Sequence, residues 1–218
     1  MLDFILQGKL FMIPLITCAV LAIAVIIERG IVLKEIQAYV GPFLEKFNEL
    51  ITAGKLKEAE ELCESTPHPV SRMLAAGLTR HQEVKREQSL AFVHDQVDKA
   101  VSSAGVHAVS LLERRLGLLA SVSNLAPLFG FAGTVTGMIA AFGAIAAASS
   151  VDVSQVALGI SEALNTTATG LVIGIAATLG YSHYTSKIEA FVGQLEDASN
   201  RMLAVMTRDI LTERYGSQ

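Results

Sequence analysis

The chain has 218 residues, of which 51% are hydrophobic and 17% are charged, against about 25% charged residues in an ordinary soluble domain. This composition favours a membrane protein and excludes collagen-like, disordered acidic and disulfide-stapled secreted chains. The formal net charge of -4, with no Lys/Arg run longer than two residues, also argues against binding to nucleic acid.

The first predicted element is a membrane-spanning helix in the segment 1–28. An apolar run covers residues 10–27 between Lys9 and Glu28-Arg29, at the short end of the spanning range. No small-residue cleavage pattern follows it, which favours an uncleaved anchor over a secretory signal.

The next segment, 29–117, is predicted to form helices with breaks at Gly41-Pro42, Gly54 and Pro67-His68-Pro69. Because no proline occurs from about residue 88 to 121, one helix is predicted to run unbroken into the second span.

Neither cysteine nor histidine predicts a metal site. Cys18 and Cys63 lie in unlike surroundings and are expected to be free thiols. Four histidines recur every 13 residues, a step that rotates each by about 140° on a helix, so they share no face. These are His68, His81, His94 and His107. We therefore expect neither a metal nor another cofactor.

The second predicted span, 118–148, has one small and one bulky face. No charged residue occurs between Arg115 and Asp152, a gap longer than the roughly 20 apolar residues that cross a membrane. Positions stepped by four and three are all small, polar or proline: Ser123, Pro127, Gly130, Thr134, Gly137, Ala141, Ala144 and Ala148. Such faces, including Gly133-x-x-x-Gly137, usually mark close contacts between membrane helices.

After a short predicted turn at 149–161, the third span, 162–185, repeats this pattern. Its small face carries Ala163, Thr167, Gly170, Gly174, Ala177 and Tyr181. Glu162 flanks this face, and a carboxylate within a membrane helix indicates a functional site. If the helix began one turn later, Glu162 would instead be an N-terminal acid favoured by the helix dipole. The remaining segment, 186–218, predicts a helix with an apolar stripe that mediates either oligomerisation or packing on the loop helices.

The distribution of Lys and Arg predicts the orientation of the three spans. Residues 28–117 carry twelve of them and the tail carries four, whereas 149–161 carries none. By the positive-inside rule the N-terminus and the 149–161 turn are external, and the large loop and the tail are cytoplasmic. The second span has no Asp, Glu, Lys, Arg or His, and the third has none between Glu162 and His183. A titrating group is therefore expected from a partner protein.

Two sequence blocks identify a family resemblance. Residues 126–138, APLFGFAGTVTGM, resemble the A-P-x-x-G-x-x-G-T-V-x-G-[IM] signature of ExbB/TolQ proton channels, which are distant relatives of MotA. Residues 160–171, ISEALNTTATGL, resemble that family's I-x-E-A-L-x-x-T-A-x-G-L. The three predicted spans and the external N-terminus also match ExbB and TolQ better than the four-span MotA.

This resemblance implies an all-α protein of the bacterial inner membrane, with three transmembrane helices and long cytoplasmic helical extensions. It implies a homopentamer around a central pore that encloses the single helices of an ExbD- or TolR-like partner carrying a membrane Asp. Protonation of that Asp by the proton-motive force would move the partner, and force would reach a TonB- or TolA-like protein.

The family's site positions are carried over residue by residue. The resemblance implies pore threonines at Thr134 and Thr167 and an acid at Glu162, with Thr166 and Thr169 as additional pathway hydroxyls. Structural positions fall on Pro127, Gly130, Gly133, Gly137, Gly170 and Gly174. The family usually has Trp where this chain has Thr136. With the additional hydroxyls, this departure leaves sodium open as the transported ion, although a proton is expected.

Three other functional classes are considered. A helical scaffold that conducts no ions would carry the same small-residue faces, but it would not require Thr134, Thr167 and Glu162 together. A secondary transporter usually shows internal repeats, and none is visible here. No nucleophile-base constellation or phosphate-binding loop indicates an enzyme.

Overall fold

The computed structural model describes residues 9–85, 87, 89–147 and 153–215, and their regular structure is helical throughout. The helices are α1 (Lys9–Thr52), α2 (Leu56–Ser65), α3 (Pro69–Val84), α4 (Leu90–Glu113), α5 (Leu116–Ala147) and α6 (Val153–Tyr215). Three of them, α1, α5 and α6, are long and apolar enough to cross a membrane. Helices of this length and composition agree with the prediction of three spans.

Local sequence explains three of the helix ends. Gly54 adopts φ +74° after α1, a conformation that favours glycine. His68 caps α3, because its Nδ1 accepts a hydrogen bond from the Val70 amide at 3.3 Å. The Ser89 hydroxyl likewise accepts a bond from the Phe92 amide at the start of α4.

Three predicted boundaries differ from the structure. α1 continues through Gly41-Pro42, where a break was predicted, because the following residues Phe43, Leu44 and Phe47 are buried and their packing outweighs the propensity of proline. The predicted unbroken helix across 88–121 is wrong, since α4 ends at Glu113 and α5 begins at Leu116. Within the predicted turn 149–161, residues from Val153 onward are already helical, and only Gln155, Ala157 and Leu158 among them have high helix propensity.

The chain forms two compact units. The first comprises Met1–Gly30 and Arg115–Thr185, and the second comprises Ile31–Arg114 and Ser186–Gln218. In the second unit, the predicted tail stripe is buried at Ile188, Phe191, Leu195, Ala198 and Met202. A Cβ placed on Gly77 of α3 would lie 2.5 Å from Met202 Cε. Of the two predicted roles for this stripe, the structure therefore gives it packing on the loop helices.

Candidate functional site

The site lies in the first unit, where the small faces of α5 and α6 meet. A Cβ on Gly170 would lie 2.6 Å from the Ala126 carbonyl oxygen and 3.0 Å from Gly130 Cα. A Cβ on Gly130 would lie 3.0 Å from Thr167 Cα. Because these neighbours are backbone atoms, the two helices approach each other more closely than any larger residue would allow.

The same contact continues along both helices. A Cβ on Gly137 would lie 2.8 Å from Ala163 Cβ, and one on Gly174 would lie 2.6 Å from Pro127 Cγ. The contacts advance toward the C-terminus of α5 as they recede toward the N-terminus of α6, so the helices are antiparallel. The structure thus places the predicted packing residues, Gly133 included, in one contact face.

Thr134 and Thr167 are brought together at one margin of this face. Their Oγ1 atoms lie 3.3 Å apart. The Thr167 hydroxyl donates to the Gly130 carbonyl at 2.7 Å, and the Thr134 hydroxyl donates to the Phe131 carbonyl at 2.7 Å. A hydroxyl has one hydrogen and two acceptor positions, so each oxygen keeps acceptor capacity, and rotation of its hydrogen would release a donor.

Thr166 and Thr169 are not part of this pair. Thr166 is 3% exposed. A Cβ on Gly133 would lie 2.6 Å from Thr166 Cγ2 and 3.5 Å from Cβ of Phe11 in α1. Its hydroxyl donates to the Glu162 carbonyl at 2.9 Å. The Thr169 hydroxyl donates to the Asn165 carbonyl at 2.8 Å. Thr166 therefore lies at the α1 side of the contact face.

Helix periodicity explains this division. Residues three and four positions apart are neighbours on a helix surface. Both threonines neighbour Ala163 and Gly170 of the contact face; in addition, Thr167 neighbours Leu164 and Leu171, whereas Thr166 neighbours Glu162 and Thr169. Adjacent threonines thus lie at opposite margins of the contact face, one beside leucines and the other beside polar residues.

Glu162 is exposed in the chain and lies well inside α6. The helix begins at Val153, and its first turn contains no acidic residue. Because stabilisation by the helix dipole falls off within the first turn, the alternative that Glu162 is an N-terminal acid does not hold. The carboxylate therefore has no local structural role of that kind.

A second polar cluster, which the sequence did not predict, joins α1 to Arg115, directly before α5, and to α6. The guanidinium of Arg115 forms an ion pair with Glu28, which also accepts from Arg29 at 3.1 Å. The Tyr184 hydroxyl donates to the Ile26 carbonyl at 2.7 Å. The sequence could have indicated this cluster only through the charged residues that directly flank the predicted spans. The pairing of Glu28 with Arg115, 87 positions away, is set by the fold.

Comparisons with known proteins agree with this geometry. Residues 65–197 match the profile of the MotA/TolQ/ExbB proton channel family. The chain is 27% identical to the Tol-Pal system protein TolQ of Pseudomonas aeruginosa over 94% of this chain and 89% of that protein.

Two ExbB proteins are also similar. Identity to the biopolymer transport protein ExbB of Pseudomonas putida is 32% over 78% of this chain, which spans about half (51%) of that relative. Identity to a putative ExbB-like biopolymer transport protein of Synechocystis is 31%, over 82% of this chain and 68% of that protein.

Proposed function

The chain belongs to the MotA/TolQ/ExbB proton channel family, and from this premise we propose that it is the channel subunit of an ion-driven motor in the bacterial inner membrane. With an ExbD- or TolR-like partner it converts proton-motive force into mechanical work for biopolymer transport or an envelope process. It performs no enzymatic reaction. The hydroxyl pair Thr134–Thr167 is the single observation that carries this proposal.

The assembly is a homopentamer whose α5 and α6 helices surround the single helices of the partner. Its N-terminus is periplasmic and its C-terminus is cytoplasmic, as the distribution of Lys and Arg indicates. The exposed side chains beside the threonine pair support a lumen that receives an apolar helix. They include Phe131 at 64%, Met138 at 42%, Leu164 at 62% and Leu171 at 48% exposure.

The threonine pair responds to the charge of a partner Asp. A protonated carboxyl donates to the free acceptor position of Thr134 or Thr167 without displacing any existing hydrogen bond. An ionised carboxylate can only accept, so one hydroxyl must rotate away from the backbone carbonyl to which it donates. That carbonyl still accepts the hydrogen bond from the backbone amide of its own helix. Because a hydrogen bond to a charged group is stronger than one to a neutral group, this rotation is favourable. The pair therefore accommodates both states while remaining uncharged.

Substitution of the pair tests the proposal. The complex is isolated from its native membrane through a tag on this chain and is placed in liposomes. We expect Thr134→Val and Thr167→Val to reduce proton influx into these liposomes. Loss of a hydrogen bond to a charged group, worth about 1.5–3 kcal/mol, corresponds to a rate reduction of about 10- to 100-fold. Size-exclusion chromatography should show an unchanged oligomer.

Thr178→Val is the matched control. Thr178 is exposed on α6 and donates to the Gly174 carbonyl of its own helix at 2.8 Å. Like Thr134 it makes a hydrogen bond within its helix, but it lies outside the pair. Full proton influx in both pair variants would refute the assignment. Reduced influx in the control would show that any threonine loss disturbs the channel.

Two alternatives are separated by the same liposomes. If the ion is sodium, influx follows a sodium gradient at constant pH. The sodium alternative rests on the additional hydroxyls of Thr166 and Thr169. Of these, Thr166 is buried in the contact face between α5 and α6. If the chain is a scaffold that conducts no ions, neither gradient drives influx and the variants do not differ. For Glu162→Gln we expect reduced proton influx with the oligomer retained.

A further inference from the structure

Three polar residues form a strip on the outer part of α6, which we call the polar strip: Glu162, Asn165 and Thr169. At 100° per residue they lie within about 60° of one another around the helix. Glu162 and Asn165 are exposed and Thr169 is half-buried. Around α6, the residues that contact α5 lie between Glu162 and Thr169 on one side and the exposed Leu164 and Leu171 on the other. Asn165 lies farthest of the three from that contact, about 100° from Leu164.

The depth of the polar strip follows from the contact register. Ala163 lies opposite Gly137, and Gly159 lies opposite Ala141. At this level and beyond it, α5 exposes Met138, Ile139 and Phe142 by 42%, 67% and 60%. The strip therefore lies within the apolar belt of the helix pair. A carboxylate and an amide exposed at that depth must face water or protein, because lipid solvates neither group.

The polar strip does not open directly onto the threonine pair. Glu162 and Thr169 neighbour Thr166 on the helix surface, at the margin where Phe11 of α1 also approaches Gly133. Thr134 and Thr167 occupy the opposite margin. If partner helices fill the lumen beside the threonine pair, an ion cannot reach that pair along the axis. It requires a polar route through the wall of the ring.

We propose that the polar strip lines this route and that Asn165 is a further residue of the ion pathway. The inference rests on the proposed function. Asn165 supplies a carbonyl oxygen and two amide hydrogens between the carboxylate of Glu162 and the hydroxyl of Thr169. Its side chain bridges water between those groups, so that a water-borne monovalent cation passes from the external side without crossing an apolar gap.

Cysteine substitution tests whether the strip faces water. Native Cys18 and Cys63 are replaced by Ala, and Asn165→Cys is compared with Leu164→Cys in cells that express the full chain. The two sites differ by one residue, about 1.5 Å in depth, and by about 100° around α6. The probe is a membrane-impermeant trimethylammonium methanethiosulfonate added from outside.

We expect Asn165→Cys to react at least about tenfold faster than Leu164→Cys, because the reagent attacks the thiolate, which forms in water and not against the apolar partner helix that Leu164 faces in the proposed lumen. A similar ratio is expected for Thr169→Cys over Leu171→Cys. Equal rates in the first pair would overturn the proposal. Variants enter the comparison only if the oligomer is retained on size exclusion.

Ion flux tests the role of Asn165 in the same liposomes as above. Asn165→Leu should reduce proton influx at least about fivefold, the order expected from losing one polar contact, whereas Asn165→Ser should retain most of it. A packing role would affect both variants alike. Full influx in Asn165→Leu would overturn the pathway role.

The two proposals fail differently. If Thr134→Val reduces influx as expected but Asn165→Cys remains unlabelled, only the route through the polar strip is refuted. If Asn165→Cys is labelled but both threonine variants conduct fully, the proposed function of the threonine pair is refuted instead.

Discussion

Gly170→Ala tests the close approach of α5 and α6 most directly. The added Cβ would lie 2.6 Å from the Ala126 carbonyl oxygen, 3.0 Å from Gly130 Cα and 3.2 Å from Gly130 N. All three are backbone atoms, so no side chain can rotate away to relieve the overlap. The helices must separate by roughly 1 Å to restore ordinary van der Waals distances of about 3.5–4.0 Å.

The magnitude follows from three opposing effects. Overpacking costs about 1–3 kcal/mol, and a weakened Thr167–Gly130 hydrogen bond adds about 0.5–1.5 kcal/mol. The higher helix propensity of Ala returns about 1 kcal/mol. We therefore expect a net destabilisation of about 0.5–3.5 kcal/mol, and proton influx should also fall because the two hydroxyls move apart.

Thermal unfolding of the full chain in detergent measures the effect. Circular dichroism at 222 nm is suitable, since the chain contains no Trp for intrinsic fluorescence. Gly143→Ala is the matched control, because Gly143 also lies in a membrane helix but has nothing within 4 Å of an added Cβ. The control should be neutral or stabilising. Equal Tm values for the two variants would refute the close contact at Gly170.

Two further predictions concern the helix junctions. Arg115 adopts φ +68°, a left-handed conformation that glycine adopts more easily than alanine. The free energy of unfolding of Arg115→Gly should therefore exceed that of Arg115→Ala by about 1 kcal/mol, although both variants lose the ion pair with Glu28. Equal stability of the two variants would contradict a left-handed conformation at this position. Burial lowers the pKa of His68, so the unfolded state binds the proton more readily. The stability from the cap is present above the unfolded pKa of about 6.5 and is lost as pH falls below it. Unfolding curves from pH 7.5 to 5.5 should therefore show a smaller stability loss for His68→Asn, which keeps a capping acceptor, than for the unsubstituted chain. The exposed His94→Asn should behave like the unsubstituted chain, and an unchanged slope in His68→Asn would rule out this role.

The sequence by itself determined the number of long apolar helices and which residues share a face on each. It did so because a period of 3.6 residues and charge-free gaps are local properties of the chain. The two blocks around Gly130 and Glu162 likewise identified the family without coordinates. The break at Arg115 could not be read in this way, because an arginine in the left-handed conformation has no propensity signal and accompanies an ion pair distant in sequence.

Only the tertiary structure decided what covers each face. Periodicity separates the adjacent residues Thr166 and Thr167 by about 100° around α6, but only packing against α5 buries the first beside Gly133 and brings the second to Thr134. The tail stripe was equally compatible with a second copy until the burial of Met202 against the loop helices assigned it to its own chain. A helix face carries the same residues whichever surface it meets, so its partner is fixed by the complementarity of two faces that lie far apart in the sequence.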